Sequence, residues 1–216
     1  RVLSSFAYAY DAVGQITSIA TNEGSWGYTY DLAGQLTEAR FTPLPGGSAP
    51  AQEVHYAYDA FGNRTSATAN GVPSEYVTDR LCQYTQVGGL PLAYDADGNL
   101  TGRGSGPAAW TYVYDAANRL TSATHGADTW AFEYDAFGFR TAVTHNGVKT
   151  RYLYDPTGLG DLVGEFSEAG ALLRRHVHAS GLAASFDAAG NPYYPTFDLA
   201  GNVSELVDAV GEAVNA

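Results

Sequence analysis

Aspartates are the residues of this chain with the widest chemical reach, and Asp11, Asp31, Asp59, Asp95, Asp115, Asp135, Asp155, Asp187 and Asp198 all follow an aromatic residue and precede a short glycine- or asparagine-bearing segment. A carboxylate can act as general base, nucleophile or metal ligand, but each role needs one positioned partner, not a recurring type. A group that returns in every copy of a repeat is better explained by folding than by a single active site, so no catalytic residue is assigned. His176 and His178 alternate on an expected strand and share a face, which suits two metal ligands. No cysteine or third histidine stands nearby, and a surface or core role is expected instead. Asp95-Ala96-Asp97-Gly98-Asn99 imitates the start of a calcium loop without the bidentate glutamate that closes one. The G-x-S-x-G, P-loop and H-E-x-x-H patterns are absent. No metal or cofactor is expected.

The elements that carry these aspartates repeat. A Tyr-Asp dipeptide begins at Tyr10, Tyr30, Tyr58, Tyr94, Tyr114, Tyr134 and Tyr154, and the gaps from Tyr94 to Tyr154 are each 20 residues. A fixed period near that length signals copies of one supersecondary unit. Upstream of the dipeptide, aromatic residues fill alternate positions, as in Trp110, Tyr112 and Tyr114 or Trp26, Tyr28 and Tyr30. A spacing of two puts them on one face of a strand and cannot form one stripe of a helix. After the tyrosine, the Asp side chain is placed to accept backbone N–H groups in an Asx-type turn. The residue three positions beyond it, Gly14, Gly34, Gly62, Gly98, Asn118, Gly138 or Gly158, supplies the left-handed conformation of a hairpin loop. Asparagine is the residue that best replaces glycine there. Thr17, Thr37, Thr65, Thr101, Thr121 and Thr141 open a second strand, and Asn70-Gly71, His125-Gly126 and Asn146-Gly147 turn the chain back. One repeat therefore reads as one β-hairpin, and hairpins need neighbours to be stable. The expected fold is all-β, with antiparallel hairpins stacked into one curved sheet whose tyrosines line up in ladders.

Composition narrows the partners. The 216 residues are 45% hydrophobic and 13% aromatic, enough for a sizeable core or a continuous array. The net charge of −12 and the single lysine, Lys149, oppose nucleic acid and favour a basic partner. No stretch is apolar enough for a membrane-spanning helix, and the Tyr/Thr strands lack the outward aliphatic band of a membrane barrel. Cys82 is the sole cysteine and is expected to be a small buried hydrophobe. The sequence starts at Arg1 and holds no methionine, from which a fragment of a longer chain is expected, its targeting signal lying elsewhere. Exposed rings such as Trp110 and Trp130 give a second reading, a surface adhesion module that stacks on glycans.

Along the chain, residues 43–50 form a Pro/Gly-rich loop insertion, too short to separate domains. A degenerate copy runs through Tyr76, Asp79 and Tyr84. The regular block ends at Asp155, and Phe186-Asp187 and Phe197-Asp198 are close-set echoes, read as the same turn on shorter or irregular hairpins. A last strand and turn covers Val203 to Gly211.

These residues resemble the YD-repeat family, also called Rhs repeats, whose motif is close to Tyr-Asp-x-x-Gly-Asn/Arg-Leu-Thr. The resemblance extends over nearly the whole chain. Residues 174–216, especially Tyr193-Tyr194 and Phe197-Asp198, look like the start of the core segment that follows the repeats in bacterial members. This divides the chain into a 1–173 hairpin array and a 174–216 core-like segment that continues the same sheet as one domain. The family includes bacterial polymorphic toxins, C components of insecticidal toxin complexes and teneurins, in which the repeats wind into a hollow shell. The resemblance implies a structural scaffold of a secreted or cell-surface bacterial protein, enclosing or presenting another polypeptide such as a basic C-terminal toxin domain. Asp155-Pro156-Thr157-Gly158-Leu159 superficially matches the family's cleavage motif, but its Asp belongs to a regular repeat and lies early, so it reads as a variant turn. Autoproteolysis, if any, is expected elsewhere in the parent.

Overall fold

Period-two aromatic patterning yields strands throughout, and the computed structural model, which describes residues 4–157 and 160–214, contains one helical element among them, a 3-10 turn at Gly106–Ala108. The chain divides into two compact units, residues 1–92 and 93–216.

The first unit holds β1 (Ala7–Tyr10), β2 (Ile16–Ala20), β3 (Gly24–Tyr30), β4 (Leu36–Pro43), β5 (Gln52–Tyr58), β6 (Arg64–Ala69), β7 (Val72–Thr78) and β8 (Tyr84–Val87), and β9 (Leu90–Tyr94) crosses the boundary. Each strand pairs antiparallel with the next. The second unit continues with β10 (Leu100–Arg103), β11 (Trp110–Tyr114), β12 (Leu120–His125), β13 (Asp128–Tyr134), β14 (Arg140–His145), β15 (Val148–Tyr154), β16 (Leu162–Ser167), β17 (Leu172–His178), β18 (Leu182–Asp187), β19 (Pro192–Phe197) and β20 (Val203–Val207). Nearest-neighbour antiparallel pairing holds here too. The hairpin array read from the sequence is the fold.

Register explains the packing. Tyr112 stands opposite Ala123, which stands opposite Trp130, so a small residue lies between two large ones on one face. Ala39 and Ala67 occupy the same place opposite Tyr28 and Tyr56, and these alanines are among the buried residues. Rings lean over the alanines. Trp110 and Trp130, two strands apart, come within 5.4 Å between centroids. No large side chain among the described residues is fully buried. The core is a half-buried layer of rings on the tyrosine face, and the opposite face leaves Val77, Val113 and Leu153 about half exposed.

Candidate functional site

The recurring unit has three working parts. The first is the turn. In the repeat at Asp115, the Asp115 N–H donates to the Arg119 carbonyl at 3.0 Å, and Asn118 N–H donates back to the Asp115 carbonyl at 3.0 Å. Asp115 Oδ1 accepts from Ala117 N–H at 2.9 Å and Arg119 N–H at 3.0 Å. This is a three-residue loop closed by a left-handed residue, and Asn118 adopts φ +58°. The extra residue produces a bulge beside the aromatic, here between Val113 and Tyr114. The same bonds recur at Asp11, Asp31, Asp59, Asp95, Asp135, Asp187 and Asp198. The aspartates are turn-builders. In several copies a further donor reaches Oδ2: Asn63 on Asp59, Asn99 on Asp95, Arg119 on Asp115, Asn191 on Asp187 and Asn202 on Asp198. Those side-chain bonds are the main reason that these five carboxyls titrate below their ordinary value.

The second part is the tyrosine hydroxyl. Pairing between successive hairpins stops short of the turns, as at Ser122 opposite Ala131, so the strands part there and leave carbonyls without a ladder partner. The repeat tyrosine closes the gap. Tyr30 donates to the Ile16 carbonyl at 2.8 Å, Tyr58 to Leu36 at 2.8 Å, Tyr134 to Leu120 at 2.8 Å and Tyr154 to Arg140 at 3.0 Å. In each case the accepting residue opens the second strand of the preceding hairpin. Such a bond contributes roughly 0.5–1.5 kcal/mol, and the ring that delivers it is half-buried. Tyr10, on the first strand, is 51% exposed. Burial pushes the Tyr114 and Tyr154 hydroxyls up from the usual phenol range.

The third part is the residue pair that follows the turn. Thr37, Thr85 and Thr121 donate Oγ1 to the carbonyls of Thr29, Val77 and Val113 across the bulge. Threonine is thus selected for its hydroxyl as well as its β-propensity. The residue before it packs on the ring face: Arg64 lies between Tyr56 and Tyr76, at 4.5 and 5.5 Å, and Arg140 between Phe132 and Tyr152, at 5.9 and 5.4 Å.

Several assignments change. Cys82 is exposed, contrary to expectation, because it takes the glycine's place in the Asp79 turn at φ +61°. Asp79 makes the full set of turn bonds although Thr78, not tyrosine, precedes it, and Tyr84 accepts from Arg64 N–H at 2.9 Å. The turn at Asp155 is two residues longer, closing on the Asp161 carbonyl at 2.9 Å. Gly158, expected to close it, lies outside the described residues together with Leu159. His176 and His178 do share a face, but they bind different partners. His176 Nδ1 lies 2.8 Å from Ser185 Oγ and its Nε2 2.9 Å from Glu165 Oε1. His178 Nε2 donates to the Leu162 carbonyl at 2.8 Å, which is the tyrosine's task at the tyrosine's position. No group of three metal-ligating residues is found among the described residues.

From β16 onward the Asp-type turn appears at both ends of the hairpins. Ser167 replaces Asp between β16 and β17, Asp187 joins β18 to β19, Asp198 joins β19 to β20, and Asp208 follows β20. The close spacing of Asp187, Asp198 and Asp208 in the sequence is the trace of this change, since turns on alternate rims halve the period.

The tryptophans expected as stacking platforms face other rings. His125 stacks on Trp110 and His145 on Trp130, each at 4.6 Å, while the two indoles stack on each other.

The RHS Repeat family matches residues 10–42 and 94–129. A Photorhabdus luminescens Tc holotoxin pore carrying a TccC3 substitution is similar over 99% of this chain and 13% of its own, at 16% identity and a TM-score of 0.55. Two TcdB2-TccC3 structures, one of them without its hypervariable C-terminal region, are similar over 97% of this chain at 13% and 14% identity, with TM-scores of 0.48 and 0.45. This chain spans 13% and 17% of those chains. No curated protein matches the sequence. At these identities the holotoxin likeness is one of fold.

Proposed function

We propose that this chain, whose residues 10–42 and 94–129 match the RHS Repeat family, is a wall segment of a Rhs shell that encloses or presents another polypeptide, such as a C-terminal toxin domain. The observation that carries the reading is the stitching of hairpin to hairpin by tyrosine hydroxyls, which turns a row of marginal hairpins into a continuous surface. A wall works by steric confinement and needs no chemistry of its own. The fold likeness to a Tc holotoxin pore supports the same reading and a secreted or cell-surface location. Residues 174–216 then continue the wall as the beginning of the core segment. The excess of carboxylates suits a basic cargo.

The test uses the parent protein. Tyr134→Ala together with Tyr154→Ala loosens two consecutive hairpins, and a protease added to the folded parent should then cut the enclosed polypeptide at least tenfold faster than in the unaltered protein. Unchanged protection, with the hairpins shown to be loosened by hydrogen exchange, would refute the wall.

A further inference from the structure

On the rim that carries the tyrosine-aspartate turns, adjacent hairpins meet in a notch. Between the turns at Asp115 and Asp135 the chain fills that notch itself. Arg119 donates Nε to Asp115 Oδ2 at 2.8 Å, and its Nη2 lies 2.7 Å from the same oxygen. Its Nη1 donates to the Asp135 carbonyl at 3.0 Å, and the guanidinium lies 5.0 Å from the centre of the Tyr134 ring. One planar cation clasps two consecutive turns.

The notch between the Asp59 and Asp79 turns is made of the same parts, with the cation removed and the phenol supplied by a later residue, Tyr84. Pairing of β6 with β7 stops at Ser66 opposite Glu75, the register at which β12 and β13 part. Asn63 stands where Arg119 does, and its amide goes no further than Asp59 Oδ2, at 3.0 Å. Thr78 stands where Tyr134 does. With the long cation missing and Tyr84, not Thr78, bringing a phenol to Arg64 N–H at 2.9 Å, an open cavity of about 420 Å³ remains, lined by Asp59, Phe61, Asn63, Asp79, Arg80 and Cys82 beside Thr78. Asp79 spends Oδ1 on the Leu81 and Gln83 N–H groups, and its Oδ2 accepts no bond from the described residues.

We infer that this notch binds the guanidinium of an arginine supplied by another polypeptide, seated between the Asp59 and Asp79 turns and paired with Asp79 Oδ2, the carboxylate of the later turn, where Arg119 pairs with that of the earlier one. The planar fork suits a carboxylate and a carbonyl on neighbouring turns, which a compact ammonium cannot span. Phe61 lines the same cavity, and the chain's net charge of −12 draws a basic segment. Arg80 is the one lining charge that opposes it. Docking at a rim does not require the enclosure described above, so either idea can fail without the other.

The experiment titrates fluorescently labelled hexa-arginine, and separately hexa-lysine, into the full chain at low salt. Hexa-arginine should bind saturably and more tightly than hexa-lysine. Asp79→Asn, which keeps an oxygen for the turn, should weaken it about three- to fivefold. Asn63→Arg should weaken it as much while raising the melting temperature, because the chain then fills its own notch. Arg80→Ala should tighten binding, and Asp208→Asn, an equal charge change in a turn of the second unit, should leave it unaltered. Binding that is absent, equal for the two peptides, or the same in Asp79→Asn and Asn63→Arg as in the unaltered chain would overturn the inference.

Discussion

Replacing Tyr134 by phenylalanine removes one oxygen and leaves the ring, so the change isolates the hydroxyl that joins β13 to the hairpin before it. That hydroxyl donates to the Leu120 carbonyl at 2.8 Å, where β12 and β13 have already parted and no ladder bond is available. The ring stays over Arg119, so the cation–π contact survives. The loss is the net worth of a neutral hydrogen bond, about 1 kcal/mol, or a fall of about 2–4 °C in melting temperature for a chain of this size. Tyr112→Phe is the internal control. It lies on the same face one strand pair away, stacked 5.8 Å from Trp110, and its hydroxyl bonds no described residue. Its stability should match the unaltered chain within about 0.3 kcal/mol. Urea unfolding followed by tryptophan fluorescence measures both, and equal m-values make the midpoints comparable. If both substitutions cost the same, the hydroxyl is not a fastener and the tyrosine preference must come from the ring alone.

The carboxyls held low by a neighbouring amide give a pH signature. A folded-state pKa below the unfolded one contributes stability above the unfolded value, near 4, and loses it as pH falls through the folded value. The stability difference between Asn202→Ala and the unaltered chain, present at pH 7, should therefore shrink toward zero below about pH 4 as Asp198 protonates, and a difference that persists in acid contradicts this. Gly138→Ala should cost about 1–2 kcal/mol from backbone strain alone, since φ is +90° and a Cβ there meets nothing within 4 Å, whereas Asn118→Gly should stay within a few tenths. Thr121→Val keeps the shape but removes the bond to the Val113 carbonyl at 3.1 Å, and should cost about 0.5–1.5 kcal/mol in the same unfolding assay with an unchanged circular dichroism spectrum.

The strands and turns were legible because they rest on local rules. Alternating rings have one strand reading, and Asp followed by glycine or asparagine at the fourth position has one turn reading, so the sequence alone places Asp11 through Asp135 in turns. What the tyrosine hydroxyl does was not legible, since it depends on where pairing between hairpins stops, a non-local property of register. The same holds for Thr121, whose acceptor lies across a bulge. His178 was hidden by chemistry: an imidazole N–H replaces a phenol O–H as donor to the Leu162 carbonyl, and no alignment on aromatic identity exposes that. Cys82 departs from the burial its residue type suggests, because a turn position outranks the general preference of thiols for burial. The alternation of rims after β16 is present in the spacing of Asp187, Asp198 and Asp208, but a shorter period equally fits shorter or irregular hairpins.

The most direct measurement of the tyrosine stitching is nuclear magnetic resonance of the hydroxyl protons in the intact chain. Tyr30, Tyr58, Tyr134 and Tyr154 should show slowly exchanging hydroxyl signals, with cross-peaks from Tyr134 to Leu120 and Thr121 on the neighbouring hairpin, and Tyr112 should show none. Hydroxyl protons that exchange equally fast at all five positions, with no cross-peaks between hairpins, would mean that the repeats lie side by side without being fastened.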